Sequence, residues 1–247
     1  MKNKVLYLLV FVLLITIVTG CASEKDREKA IEFKKEYESL NGKKNGLGKE
    51  HRALNIKSDN PYEKVSQKKI VKMIENKETF YLYVGDSLCP WCRSVLEKSI
   101  EVAKEKGIKK IYYIDIWDDE GNEIFRDKYE LKDGTASKIK EGTKEYNRLL
   151  KEFDKVLSDY TLTDAEGTKV ETGEKRIFAP NFFYVKKGKV KTMVTGISNK
   201  QKDSRENLTN EILKDEEKAF NKLFNNWKDS ILNLFYVNWI FSINEGI

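Results

Sequence analysis

The sequence predicts an α/β domain, a central mixed sheet flanked by helices, and three stretches carry that expectation. Residues 80–84, Phe80, Tyr81, Leu82, Tyr83 and Val84, form an unbroken apolar run that suits a buried central strand, and Gly85, Asp86 and Ser87 end it. Cys92, Val95, Leu96, Ile100 and Ala103 then recur at helical spacing until Gly107, with Pro90 in the first turn, where its missing N–H costs nothing. Much later, Phe182, Phe183, Tyr184 and Val185 lead through Lys187, Gly188 and Lys189 into residues 190–195, which read as a returning strand.

The other elements are expected around this frame. Lys2 and Lys4 precede an apolar run over residues 5–18, followed by Thr19, Gly20 and Cys21, the pattern of a signal peptide over residues 1–20. The run is shorter than the ~20 residues a spanning helix needs. Residues 21–60 read as a tether with an N-terminal helix, because 22–48 is rich in Lys, Glu, Asn and Gly while Ala30, Ile31, Phe33, Tyr37 and Leu40 are apolar points. His51 reads as an exposed loop residue.

The domain is expected over 61–228. Its first helix should start at the N-cap Ser66 with Ile70, Val71 and Ile74 inward, and a strand should follow over 111–116. Residues from about 118 to 165 read as an insertion whose main content is helical, since Tyr146, Leu149, Leu150, Phe153, Val156, Leu157 and Tyr160 recur at three and four. A closing helix over about 205–227 carries Leu208, Ile212, Ala219, Phe220, Leu223, Phe224 and Trp227. The tail 229–247 is apolar over 231–241 apart from Asn233 and Asn238, and reads as folded back on the domain or lying on a membrane.

Chemistry concentrates at Cys89, Pro90, Trp91 and Cys92, on the strand-to-helix junction. A cysteine capping a helix meets unpaired N–H groups and the positive end of the helix dipole, both of which favour thiolate over thiol. Cys89 is therefore the candidate nucleophile. Cys92 falls beneath it on the same helical face, close enough for a disulfide, and is the candidate resolving thiol. A structural bridge is a poorer reading, because closing so short a loop removes little chain entropy. A zinc site needs four ligands, and beyond Cys21 the chain offers Cys89, Cys92 and His51, so no metal site is assigned; two-thiolate Cu(I) binding stays open.

This Cys-x-x-Cys at a βα boundary resembles the thiol site of the thioredoxin-like family. Ala179, Pro180 and Asn181 before the aromatic strand resemble that fold's second half, which implies a cis Pro180 facing the two cysteines, with Ala179 in place of the more usual threonine. Pro90 and Trp91 resemble the Cys-Pro-aromatic-Cys of glutaredoxins and bacteriocin transport accessory proteins. The likeness covers about residues 63–225. Two departures stand out: thioredoxin carries a buried aspartate six residues before its first cysteine, where this chain has Tyr83, and the spacing from motif to proline is roughly doubled. Asp86 is nearer in sequence but reads as a solvated turn residue.

Val18, Thr19, Gly20 and Cys21 resemble the bacterial lipobox, which implies diacylation of Cys21, as a palmitate-type anchor, at the outer face of the cell membrane. The resemblances together imply a lipid-anchored, extracytoplasmic thiol–disulfide oxidoreductase that needs no external cofactor. Its partners would be protein thiols and disulfides of the cell envelope and an electron partner in or outside the membrane. The alternatives are an accessory factor for one dedicated secreted partner, a non-enzymatic lipoprotein of the same fold, or a Cu(I) carrier. The net charge of +6, about +4 without Lys2 and Lys4, is mixed in sign along the chain and argues against nucleic acid.

Overall fold

The computed structural model describes residues 24–117, 123 and 125–225. The signal run, Cys21, Trp227 and the tail 229–247 lie outside the described residues, as do residues 118–122 of the expected insertion. Strands Tyr62–Lys64 (β1), Phe80–Gly85 (β2) and Ile111–Asp115 (β3) alternate with helices Gln67–Glu75 (α2) and Pro90–Glu105 (α3), after a first helix Glu24–Glu38 (α1). Strands Asn181–Lys186 (β8) and Lys189–Val194 (β9) and the helix Asn210–Phe224 (α5) complete the frame. The main sheet runs β1-β3-β2-β8-β9. β1 and β2 flank β3 in parallel, whereas β8 is antiparallel to both β2 and β9.

β2 lies in the middle of this sheet and every one of its residues is buried. Its two faces feed two cores. Tyr81 and Tyr83 pack with side chains of α1, α3 and α5, while Phe80, Leu82 and Val84 pack with those of α2 and of the helix Lys144–Phe153 (α4). Burial on both sides is why the strand reads as an unbroken apolar run, without polar alternation. Side-chain caps define the helix starts: Ser66 accepts from the Lys69 N–H, Thr143 from Tyr146 and Thr209 from Ile212, each such cap contributing about 1 kcal/mol. The β8–β9 hairpin turns on Lys187 and Gly188, both at positive φ, as a two-residue turn matching strand twist requires.

Several expectations need correction. The helix expected within 21–60 is present as α1, but it is packed into the domain and is no tether: Phe33 stacks on Tyr62 with ring centroids 4.5 Å apart, and Ala30, Phe33 and Tyr37 are buried. The insertion is not mainly helical. The ten-residue α4 stands between two hairpins, Lys128–Lys132 (β4) with Thr135–Lys140 (β5), and Ser158–Thr163 (β6) with Lys169–Arg176 (β7). The apolar spacing past Phe153 runs on through a single 3-10 turn, but Tyr160, Thr161, Leu162 and Thr163 are strand formers; the last three pair with β7, and Tyr160 sits at a shift in the register. The closing helix begins at Asn210, not near 205, because Thr209 caps it. His51 is not exposed; at 8% accessibility it is buried. Asp86 is not solvated either, at 6%.

Candidate active site

The junction of β2 and α3 presents the two cysteines. Cys89 has extended backbone, φ −69° and ψ 118°, and caps α3 with its sulfur accepting the Cys92 N–H at 3.5 Å. Pro90 occupies the first turn. Cys89 and Cys92 are both free thiols; the first is half-buried and the second fully buried. Trp91 is half-buried, and Leu88, 47% exposed, immediately precedes Cys89 in the chain.

The chain returns to this point ninety residues later. The Cys89 thiol donates to the Ala179 carbonyl at 3.5 Å, and the Ala179–Pro180 peptide is cis. Ala179 packs against the same core as Cys89, and Pro180 is buried where β8 begins beside β2. Cys89, Cys92 and the 179–180 pair, called from separate segments of the sequence, therefore share one site.

The surroundings divide the thiols. Cys89 is held below the ordinary thiol range, first by hydrogen bonding from the Cys92 side chain, with the Cys92 and Trp91 N–H groups adding to it and burial and the Asp86 charge opposing it. Cys92 is pushed well above that range, chiefly by burial and then by its neighbour Cys89. Asp86 accepts the Leu88 N–H at 2.7 Å, and burial raises its own pKa.

Two features of the site have no counterpart among the sequence expectations. Arg93 is fully buried, and its guanidinium donates to the carbonyls of Arg52 (2.8 and 2.5 Å), Tyr37 (2.8 Å) and Ser87 (3.2 Å) and to Asn41 Oδ1 (3.0 Å). It thereby ties the loop before Cys89 to α1 and the segment that follows it. The second is the pairing of Tyr83, which stands where the resemblance places an aspartate, with Tyr37: the two hydroxyls lie 2.9 Å apart in the same buried core as Cys92. Neither is legible from a motif, since an arginine in a helix and a tyrosine in a strand are ordinary until the packing is known.

Among the described residues, no group of three or more His, Cys, Asp or Glu side chains is arranged to hold a metal ion. No described helix is long and apolar enough to cross a membrane. No known protein-family model matches the chain, and a search of curated proteins finds no match.

Proposed function

We propose that the protein is a thiol–disulfide oxidoreductase of thioredoxin-like fold, anchored outside the cell membrane through lipid on Cys21 and acting on protein thiols and disulfides of the envelope. The observation that carries this reading is the contrast between the two thiols of one motif: a half-buried Cys89 at the helix start, held below the ordinary thiol range, and a fully buried Cys92 pushed above it. The sheet order, with three parallel strands followed by two antiparallel ones and the cysteines at the exit of the central strand, supports the thioredoxin-like assignment. In the reducing direction the Cys89 thiolate attacks a substrate disulfide, forming a mixed disulfide and releasing one substrate thiolate. Cys92 then bonds to Cys89, and the second substrate thiolate leaves. The electron pair that reduces the substrate comes from the dithiol, so a separate electron partner must restore it.

Exposed Leu88 and half-buried Trp91 supply an apolar rim for a substrate chain beside Cys89. The trapping experiment is direct: Cys92→Ser should accumulate thiol-sensitive covalent complexes with envelope proteins, and Cys89→Ser should accumulate none. A folded, membrane-bound Cys92→Ser chain that captures nothing would sink the proposal and favour Cu(I) binding or a structural bridge. The anchor is tested apart from the chemistry, because Cys21→Ala should abolish acyl labelling while the purified domain keeps its thiol reactivity.

A further inference from the structure

Resolution of a mixed disulfide needs Cys92 as a thiolate, yet this thiol is fully buried, and water cannot take its proton directly. The acceptor must be reached through the protein. Three buried phenols lead away from the sulfur. Tyr83 from β2 is buried in the same core as Cys92, and its hydroxyl is 2.9 Å from that of Tyr37 on α1, a contact in which either oxygen can donate. The Tyr37 ring packs against that of Tyr113 on β3 with centroids 6.0 Å apart, and the Tyr113 hydroxyl donates to Glu36 Oε1 at 2.8 Å. Glu36 is half-buried, and its other oxygen meets Lys64 at 2.9 Å; Lys64, 39% exposed, also meets Asp115 at 2.8 Å.

The rings are held in place. Tyr83 stacks between Tyr113 and Phe182 at centroid distances of 5.2 and 4.5 Å, and Tyr37 tilts against Phe33 at 4.7 Å. We propose that Tyr83, Tyr37 and Tyr113 form a hydroxyl relay that carries the Cys92 proton to the Glu36 carboxylate at the domain surface. This inference rests on the oxidoreductase reading above. Burial holds all three phenols in the neutral form, so the transfer is a concerted shift with no resting phenolate. The Cys92 S–H bond breaks and its proton goes to Tyr83, while each phenol passes its own proton onward and Glu36 receives one. The Cys92 sulfur bonds to Cys89, the bond from Cys89 to the substrate sulfur breaks, and the electron pair leaves on the substrate thiolate. Asp86 is the rival acceptor. Its carboxylate already takes the Leu88 N–H, and its charge disfavours the thiolate at both sulfurs.

Glu36 must be ionised to receive a proton. The groups facing it are Lys64 from β1 and Tyr113 and Asp115 from β3, and burial raises its pKa above the ordinary carboxylate range against the pull of Lys64. The resolving step should therefore fall off on acidification through that raised value.

The test uses the full reduced chain and Ellman's aromatic disulfide, whose thiolate is coloured. Cys89 attack gives a first burst, and Cys92 displacement of the second coloured thiolate gives a second. Tyr83→Phe, Tyr37→Phe and Glu36→Gln should each leave the first phase unchanged and slow the second about tenfold or more, within the range that positioned proton transfer supplies. Glu36→Gln should also flatten the acid limb of the second phase. Glu36→Gln alters only the half-buried far end of the chain of groups, so it decides the matter if Tyr83→Phe or Tyr37→Phe misfolds. An unchanged second phase in these variants, or a slowing confined to Asp86→Asn, would overturn the relay and leave the oxidoreductase reading standing. A wild-type chain with no first phase would instead overturn that reading.

Discussion

Cys89 and Cys92 are the same side chain three residues apart, and their surroundings push their acidities in opposite directions. The first gains hydrogen bonds to its charged form at the start of α3, whereas the second gains mainly burial. Iodoacetamide should therefore modify native Cys89 well below the pH at which a free thiol reacts, with Cys92 labelled only after unfolding; mass spectrometry across a pH series reads both. Equal and slow labelling would contradict the division. Gly85 is a second decisive residue. It follows Tyr83 on the same face of β2, and a Cβ there would overlap the Tyr83 ring. Gly85→Ala should cost about 1–3 kcal/mol in chemical denaturation by overpacking, and should disturb the Ellman second phase more than the first, because the displaced phenol shares the buried core of Cys92.

At the scale of elements, the distinctive coupling is between α1 and α3. Arg93 satisfies carbonyls from α1, from the segment after it and from the loop before Cys89, although no acidic side chain pairs with it among its hydrogen-bond partners. Its removal strands several buried acceptors at once, at about 1–3 kcal/mol for each one left unmet. Arg93→Met should thus lower stability by about 3 kcal/mol or more and speed limited proteolysis within residues 42–52, whose side chains are already mostly exposed. An unchanged cleavage rate there would show that the guanidinium does not hold this stretch. Phe33 and Tyr37 add an aromatic component to the same coupling, so the N-terminal helix helps build the floor of the site.

Across the whole molecule, a doubly covered sheet leaves little room for uncompensated polar groups, which makes Glu216 on α5 conspicuous. It is fully buried, and neither carboxylate oxygen has a hydrogen-bond partner among the described residues. Burial pushes its pKa up to about 7, against the weaker pull of Lys98 and Arg52. The folded state therefore binds this proton more tightly than the unfolded chain, whose glutamate titrates near 4.5. The resulting stabilisation is present below about pH 4.5 and is lost as the pH rises towards 7. Glu216→Gln should be more stable than wild type at pH 8 and close to it at pH 5, by urea midpoints at the two values. A variant equally stabilised or destabilised at both would show that the carboxyl does not titrate in this window.

The sequence by itself determined the features that local chemistry enforces. Proline in the first turn and glycine at the end bracket α3, Ser66 caps α2, and the all-apolar β2 announces a buried central strand. Cys89 and Cys92 were legible for the same reason, since a helix-capping thiol is a short-range statement, whereas a cis Pro180 beside them was implied only by the resemblance. The insertion hairpins were partly legible too: Asp133 and Gly134 both take positive φ at the β4–β5 turn, a strong hairpin signal that the helical spacing of Tyr146 and its successors obscured. Only the tertiary structure decided which polar residues enter the interior. His51, Arg93 and Glu216 look like surface residues until α1, α3 and α5 close over one face of the sheet, and Asp86 until the Leu88 N–H and Trp117 meet it at the end of β2. The same closure brings Tyr37, Tyr83 and Tyr113, from three separate segments, to one buried cluster beside Cys92. Periodicity records which side of an element is apolar, but it cannot record which hydroxyl meets which across 46 residues of chain.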